Sequence, residues 1–227
     1  MLSAGGSLPI KNIKSDYFRI IVTRRPSIPL YKDIVSEDKF AVLNYIESLT
    51  NNRIREEKNE TAFVPECEKV FCQNSSLIMK CFTNLSESRF SSGSYGVFYA
   101  AKKLECAVSE TKYRTLKFAQ ATDESTYECQ QRVLTGNLAG LFCDIRSLAL
   151  VDVYSPDDYT AGQVFGKKIK DEGNDGIVYD SVRHKGGTCF AVFKPSLIKS
   201  IKEIKTLTYL YDGKKITVVE DSSSTGR

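Results

Sequence analysis

The chain has 227 residues, of which 41% are hydrophobic and 26% are charged, and its formal net charge is +4. This composition is typical of a globular chain that is long enough to bury most of its apolar surface. A charge excess this small, spread along the chain, argues against direct binding of nucleic acid. A site for a phosphate-bearing small molecule stays open, because such a site can be basic while the whole chain is nearly balanced.

The cysteine and histidine content limits both the compartment and the chemistry. Seven cysteines are present, none in a CxxC pair, and several lie in apolar runs such as GLFCDI and TCFAVF. This usage is typical of buried thiols in a reducing compartment, and it predicts a cytoplasmic protein. His184 is the single histidine, so a histidine-rich metal site is excluded and no metal ion is expected. Without a run of about 18 apolar residues, we expect no membrane partner.

The first half of the chain predicts strands and helices in alternation. YFRIIVTRR predicts a short strand that ends at PSIPL, and SEDKFAVLNYIESLTNNR predicts a helix with Ser36 as its N-cap. After a charged run and a serine- and glycine-rich loop, YGVFYAA predicts a second strand. KKLECAVSETKYRTLKFAQ predicts a helix whose core side carries Leu104, Ala107, Val108 and Tyr113.

The second half is richer in strands. ECQQRVLTGNL and SLALVDVY predict two strands, and DDYTAGQVFGKKIKDEG predicts a helix that ends at Gly173. GIVY and TCFAVF predict two further strands, and KTLTYLYDGKKITVVE predicts a hairpin that turns at Asp212 and Gly213. Because helices and strands alternate without a regular βαβ repeat, we expect an α+β fold.

Three stretches carry candidate site residues, and each also has a purely structural interpretation. In SRFSSGSYGVFYAA, Arg89 precedes a flexible loop and Tyr99 ends a strand, yet an arginine there is usually a surface residue and a strand tyrosine is usually core. Glu110 lies at the edge of the buried side of its helix, where a glutamate is solvated by default. Between GIVY and TCFAVF, Ser181 either bonds a ligand or caps the turn, and Arg183 follows it.

These residue types suit a ligand with phosphates and a planar base. Arginine forks match a pyrophosphate, a tyrosine can stack on a base, and a carboxylate can stabilise a cationic transition state. GxGxxG and GxxxxGK[ST] motifs are both missing, so Rossmann and P-loop binding have no support. Taken by themselves, these residues support the hypothesis of a nucleotide-binding site, but they do not identify the nucleotide or the reaction.

The motifs SRFSSGSYGVFYAAKKLECAVSETKYR and DDYTAGQVFGKKIKDEGNDGIVYDSVRHKGGTCFAVFKP give the chain a resemblance to the RES-domain family, the toxins of bacterial RES/Xre toxin–antitoxin modules. The resemblance runs from about Tyr17 to about Val218. It implies an N-terminal extension over residues 1–16, a RES domain over 17–219 and a flexible tail over 220–227. It also implies an ADP-ribosyltransferase-like fold: one domain of mixed, largely antiparallel sheets with flanking helices.

The same resemblance assigns roles to single residues in an NAD+ site. It makes Glu110, Arg19 and Tyr99 the catalytic set, with Glu110 as the carboxylate that acts on the ribosyl cation. The hairpin that carries Ser181 becomes one wall of a dinucleotide cleft, in which His184 either bonds the ligand or is structural. The expected contacts to NAD+ come from Arg19, Arg89, Tyr99, Thr160, Ser181 and Arg183.

The activity implied is cleavage of the nicotinamide–ribose bond of NAD+, by hydrolysis or phosphorolysis, which depletes NAD+ and arrests growth. NAD+ enters as a substrate, and the implied protein partner is an Xre-family antitoxin that covers the site. One alternative is mono-ADP-ribosylation of a specific protein, since surface loops choose the acceptor. Another is a module without catalysis that binds a nucleotide or docks an antitoxin.

Overall fold

The computed structural model describes residues 8–23, 64–70, 74–122, 125–146 and 148–220. The helix predicted from Ser36 onwards and the charged run after it lie outside these ranges. Within them, no helix is long and apolar enough to cross a membrane. The described residues form three α-helices and nine strands: β1 (Ile10–Val22), α1 (Ser75–Thr83), β2 (Glu87–Ser88), β3 (Ser91–Ser92), β4 (Phe98–Ala101), α2 (Leu104–Ala121), β5 (Tyr127–Asp144), α3 (Thr160–Asp171), β6 (Gly176–Asp180), β7 (Thr188–Val192), β8 (Lys202–Tyr211) and β9 (Ile216–Glu220).

Seven strands form one sheet in the order β1-β4-β7-β6-β5-β8-β9. The long strand β5 also pairs with β1 along its other edge, so β1, β4, β7, β6 and β5 close into a ring. Among the pairings of this sheet that the described residues show, β5 with β6 is parallel and the rest are antiparallel. The predicted α+β fold, a mixed and largely antiparallel sheet with flanking helices, is confirmed.

The sheet separates two hydrophobic cores, because side chains alternate between its faces. One face, here the α1 face, packs against Ile78 and Phe82 of α1. The opposite face, here the α2 face, packs against α2 and α3 through Cys106, Ala107 and Phe165. Strand side chains on the α1 face include Tyr17, Phe98, Ala100, Val178 and Phe190, and those on the α2 face include Ile20, Ala101, Ile177, Tyr179 and Cys189.

The strand predicted for SLALVDVY is wrong. Residues 148–154 form turns held by local bonds, such as Leu150 N to Leu148 O at 2.8 Å and Tyr154 N to Leu150 O at 3.1 Å. The edge of β5 that this segment could have joined is taken by β6, which pairs with Phe142–Asp144. The apolar side chains of this segment contribute to the fold in another way: Leu148, Leu150 and Tyr154 pack against the core of the α2 face.

Two further elements differ from their prediction. β1 is longer than expected, since it starts at Ile10, within the segment predicted as an N-terminal extension, and pairs with β5 as far as Val22. Its first half is mostly exposed and polar, so it carries no apolar alternation that would mark a strand. Tyr113 is not a core residue: it is half-buried, and its hydroxyl donates to Asp157.

Candidate functional site

The carboxylate of Glu110 is fixed by Ser181. Glu110 lies in the middle of α2 and Ser181 follows the last residue of β6, and Ser181 Oγ donates a 2.5 Å hydrogen bond to Glu110 Oε1. The same hydroxyl oxygen accepts the backbone N–H groups of Arg183, at 3.1 Å, and His184, at 2.9 Å. Because these donors occupy its lone pairs, its proton is directed to the carboxylate. Ser181 therefore caps the turn and orients Glu110, and a bond from Ser181 to a ligand stays a prediction.

The turn between β6 and β7 is built to lie close against α2. Gly186 has a φ of +75°, which a residue with a side chain rarely adopts. At Gly187, an added Cβ would lie 2.6 Å from Cys106 Sγ, so a larger residue would push the turn away from the helix. His184 Nδ1 lies 3.3 Å from Ser109 Oγ on α2, which gives the single histidine a structural contact.

Two thiols and a phenol lie near the carboxylate of Glu110. Cys106 Sγ and Cys189 Sγ are 3.6 Å apart and buried, and Cys189 Sγ is 4.0 Å from Glu110 Oε1. The hydrogen bond with Cys106, together with burial, raises the pKa of Cys189. Burial is the main cause that raises the pKa of Tyr179 far above its usual value, and electrostatic repulsion from Cys189 and Glu110 adds to it. The Cys189 thiol and the Tyr179 phenol therefore stay protonated near neutral pH.

Arg89 is a buried cation close to this cluster. It lies in the turn between β2 and β3, is only 8% exposed, and its guanidinium stands 4.8 Å from the ring centre of Tyr159. Its Nη1 donates to the backbone oxygens of Val153, at 3.1 Å, and Ser155, at 2.7 Å. In the part of the chain that the structure describes, no carboxylate forms an ion pair with it. A buried positive charge without an ion pair to a described carboxylate favours an anionic ligand.

Helix α3 positions the hairpin that holds Arg89. An added Cβ at Gly162 would lie 2.5 Å from the backbone oxygen of Arg89, and one at Gly166 would lie 2.3 Å from that of Phe90. Gln163, between the two glycines, donates from Nε2 to Glu87 Oε1 at 2.9 Å. Sequence reasoning missed this contact, although two glycines four residues apart in an amphipathic helix were a usable signal.

Tyr99 also supports this hairpin. Its phenolic oxygen accepts the backbone N–H of Phe90 at 3.0 Å and donates to Ser88 Oγ at 3.0 Å. Burial is the main cause that raises its pKa. Tyr99 alternates with Phe98 and Ala100 of the α1 face, so its ring lies on the α2 face with Glu110.

Arg183 and Thr160 occupy the rim of the site. The guanidinium of Arg183 stacks 3.4 Å from the ring centre of Tyr113, donates to Pro156 O and lies 3.7 Å from Asp157 Oδ1. Tyr113 also donates to Asp157, and this hydrogen bond lowers the pKa of that carboxyl group. Thr160 is exposed at the start of α3 and directly follows Tyr159, whose ring faces the guanidinium of Arg89. The backbone N–H of Thr160 donates to Asp158 Oδ1 at 2.9 Å.

Arg19 is on the other face of the sheet. Phe18 and Ile20 belong to the α2 face, so the side chain between them points to the α1 face, where its guanidinium lies 4.7 Å from the ring centre of Phe98. Arg19 Nη1 donates to the backbone oxygen of Tyr99, and Nε has no partner among the described residues. The structure thus brings together Arg89, Tyr99, Glu110, Thr160, Ser181 and Arg183, and it separates Arg19 from them.

The loop after β5 connects this cluster to an open pocket. The pocket has a volume of about 550 Å³ and is lined by residues 148–152 and 154–156. Neither Glu110 nor Arg89 lines it, but Ser155 does, and the backbone oxygen of Ser155 accepts from Arg89. Across the described ranges, no three His, Cys, Asp or Glu side chains are grouped so that they could hold a metal ion.

The fold and the site define an α+β protein with one oriented carboxylate and a buried arginine on the same face of its sheet. The family model for the RES domain matches residues 71–212, more than half of the chain, and the protein belongs to the RES-domain family. A protein of Sinorhizobium fredii (strain NBRC 101917 / NGR234), uncharacterized protein y4oC, is 25% identical over 207 residues, which are 91% of this chain and 87% of that one.

Among solved structures, the M. tuberculosis MbcT–MbcA toxin–antitoxin complex contains a similar chain. The identity is 10%, the match covers 86% of each chain, and the TM-score is 0.43.

Proposed function

We propose that this protein is the toxin of a toxin–antitoxin module and that it cleaves the nicotinamide–ribose bond of NAD+. Membership of the RES-domain family supports the class. The observation that carries the activity is the carboxylate of Glu110, which Ser181 orients through Oε1 and whose Oε2 has no hydrogen bond to a described residue. A fixed carboxylate with one oxygen available is suited to stabilise a cation that develops beside it.

The reaction needs little more than that carboxylate. When the bond between ribose C1′ and the nicotinamide nitrogen breaks, its electron pair goes to the nitrogen, and nicotinamide leaves as a neutral molecule. No acid has to protonate it. The ribosyl cation is stabilised by Glu110, and a water molecule then adds to C1′ and loses a proton to give ADP-ribose. Inorganic phosphate as the acceptor would give ADP-ribose phosphate instead.

The cations around Glu110 suit the pyrophosphate of NAD+. Arg89 is buried without an ion pair among the described residues, and Arg183 reaches the same cluster from the turn after Ser181. The N-terminus of α3 at Thr160 adds the positive end of a helix dipole. Tyr99 supports the hairpin that carries Arg89 and lines the same face. This proposal gives Arg19 no contact with NAD+, because its side chain lies on the α1 face.

The partner proposed is an Xre-family antitoxin that covers the site. No direct contact with nucleic acid is proposed, since the net charge is only +4. The second candidate activity, mono-ADP-ribosylation of a protein, uses the same carboxylate and differs only in the acceptor at C1′. The product therefore decides between the two.

The test is an NAD+ consumption assay with the purified chain that measures nicotinamide and the second product. Free ADP-ribose indicates hydrolysis, ADP-ribose phosphate indicates phosphorolysis, and a mass increase on an added lysate protein indicates ADP-ribosylation. Glu105→Gln is a matched control for Glu110→Gln, because Glu105 is exposed on the same helix. Absence of nicotinamide release by the folded parent protein would refute the proposed activity.

A further inference from the structure

A row of side chains on α2 continues from Glu110 toward the end of the helix. Glu110, Arg114 and Phe118 follow one another at intervals of four residues, so they lie along one side of α2 over a length of about 12 Å. Glu110 is half-buried, whereas Arg114 and Phe118 are exposed. These three residues, here the α2 row, begin at the carboxylate that Ser181 orients and extend away from it along the helix.

Arg114 carries a charge that is not paired. A glutamate four residues before an arginine is the favourable order for an ion pair on a helix, yet the carboxylate of Glu110 bonds to Ser181 instead. Among the described residues, none forms a hydrogen bond or an ion pair with the guanidinium of Arg114. Its N–H donors are therefore available to an anion.

The charge of Arg114 acts on the same phenol as that of Arg89. Burial is the main cause that raises the pKa of Tyr99, and the positive charges of Arg89 and Arg114 both oppose this rise. The two guanidinium groups therefore lie within electrostatic range of Tyr99, one from the turn between β2 and β3 and the other from α2. An anion bound near Tyr99 would be attracted by cations from two separate elements of the fold.

Phe118 presents an aromatic ring to solvent. It is 54% exposed, and its ring forms a tilted pair with that of Tyr127 at the start of β5, with the ring centres 5.8 Å apart. A single exposed phenylalanine needs no explanation by itself. This one, however, lies one helical turn beyond an unpaired arginine, and a ring in that position can stack on a planar base whose phosphate the arginine binds.

We propose that the α2 row binds the ADP part of the substrate, with Arg114 on the pyrophosphate and Phe118 stacked on the adenine. The inference rests on the proposed cleavage of NAD+, because it takes Glu110 as the group beside the ribose whose bond breaks. Along α2 the order is carboxylate, guanidinium and aromatic ring. This order matches that of the ribosyl carbon, the pyrophosphate and the adenine in NAD+.

The test is calorimetric titration of the full chain with ADP-ribose, which has the pyrophosphate and the adenine but no nicotinamide to release. We expect Phe118→Ala to weaken binding about fivefold or more through the loss of one base stack. Phe118→Tyr keeps a ring and should bind within about twofold of the parent. Arg114→Gln removes a charge-assisted contact and should weaken binding about tenfold or more.

Lys112→Gln is the matched control for Arg114→Gln. It makes the same change of charge on the same helix, but Lys112 is two residues before Arg114 and therefore points away from the α2 row. We expect the affinity of this variant for ADP-ribose to stay within about twofold of the parental value. An equal loss in Lys112→Gln and Arg114→Gln would show only a general effect of charge, and it would overturn the proposed contact.

Two other results would overturn the proposal: the absence of ADP-ribose binding by the folded parent at about 1 mM ligand, and an unchanged affinity in either Phe118→Ala or Arg114→Gln. A parallel assay of nicotinamide release from NAD+ separates this proposal from the proposed function. If the variants weaken ADP-ribose binding as expected but the parent releases no nicotinamide, the α2 row binds the nucleotide and the cleavage is refuted. If the parent releases nicotinamide and both variants keep its KM for NAD+, the cleavage stands and the α2 row is not its ADP site.

Discussion

Ser181 Oγ lies 2.5 Å from Glu110 Oε1 and donates its proton to that oxygen, although 71 residues separate the two in the chain. The hydroxyl is held by two backbone N–H groups of its own turn, so it has no freedom to rotate away. We interpret Ser181 as a positioning residue that acts through the carboxylate.

Replacement of Ser181 by alanine should therefore lower kcat for NAD+ cleavage more than it changes KM. A misplaced carboxylate loses transition-state stabilisation, for which we expect a loss of about 10- to 100-fold in kcat. Steady-state kinetics would check this. Ser109→Ala, which removes a hydroxyl from the same helix on the side of His184, is the control. A folded Ser181→Ala protein with parental kcat would show that the hydrogen bond is only structural.

The replacement of Glu110 by glutamine should abolish turnover and keep NAD+ binding. The carboxylate matters for the cation in the transition state, and its neutral isostere cannot supply that charge. We expect a loss of about 100-fold or more in kcat, with Glu105→Gln near the parental rate. Expression of the Glu110→Gln protein in bacteria should then stop being toxic. If the Glu110→Gln protein still cleaved NAD+ at the parental rate, the carboxylate would not be catalytic, and Glu110 would be only a solvated residue of the helix.

Two of the three arginines that the resemblance assigned to NAD+, Arg89 and Arg19, should respond differently to substitution by lysine. Lysine keeps the charge but loses the planar fork, so Arg89→Lys should weaken NAD+ binding by about 1.5–3 kcal/mol. Arg19→Lys should leave the affinity within about twofold, because Arg19 lies over Phe98 on the α1 face. Calorimetry on both variants decides this, and an equal loss in both would contradict the arrangement described.

The contact between α3 and the hairpin of Arg89 should be sensitive to one methyl group. A Cβ at Gly166 would lie 2.3 Å from the backbone oxygen of Phe90, so Gly166→Ala should lower the free energy of unfolding by about 1–3 kcal/mol. Val164 is 70% exposed on the same helix, and Val164→Ala should change stability by about 0.5 kcal/mol or less. Denaturant unfolding of the two variants measures the difference. Equal stability would mean that the hairpin moves aside without strain.

Asp144 should make stability depend on pH in the acid range. Its pKa is lowered in the folded protein, chiefly by Arg146, so its contribution is complete above the unfolded value of about 3.9 and is lost as the pH falls below it. Asp144→Asn should cost about 3 kcal/mol at neutral pH and clearly less in strong acid. Unfolding measured across this range checks the sign. A penalty that does not change with pH would argue against an ionised Asp144.

Local patterns in the sequence were enough to predict most of the helices and strands in the second half of the chain. The helix of YTAGQVFGKKIK ends just before Gly173, which has a φ of +84°, and the terminal hairpin turns at Gly213, with a φ of +89°. These features depend on neighbouring residues, so they can be recognised without the rest of the fold. The strand predicted for SLALVDVY failed because another strand occupied the edge of β5, which no local pattern reveals.

The sequence by itself also determined which side chains could do chemistry, since a chain with one histidine has to rely on its carboxylates, hydroxyls and arginines. Only the tertiary structure decided which of them meet. Whether Arg19 points to Glu110 or away from it depends on one residue of register in β1, because alternate side chains lie on opposite faces. The contact between Ser181 and Glu110 depends on α2 lying against the turn after β6, which Gly187 permits by leaving room for Cys106. Contacts of this kind join distant segments, so packing determines them and local sequence does not.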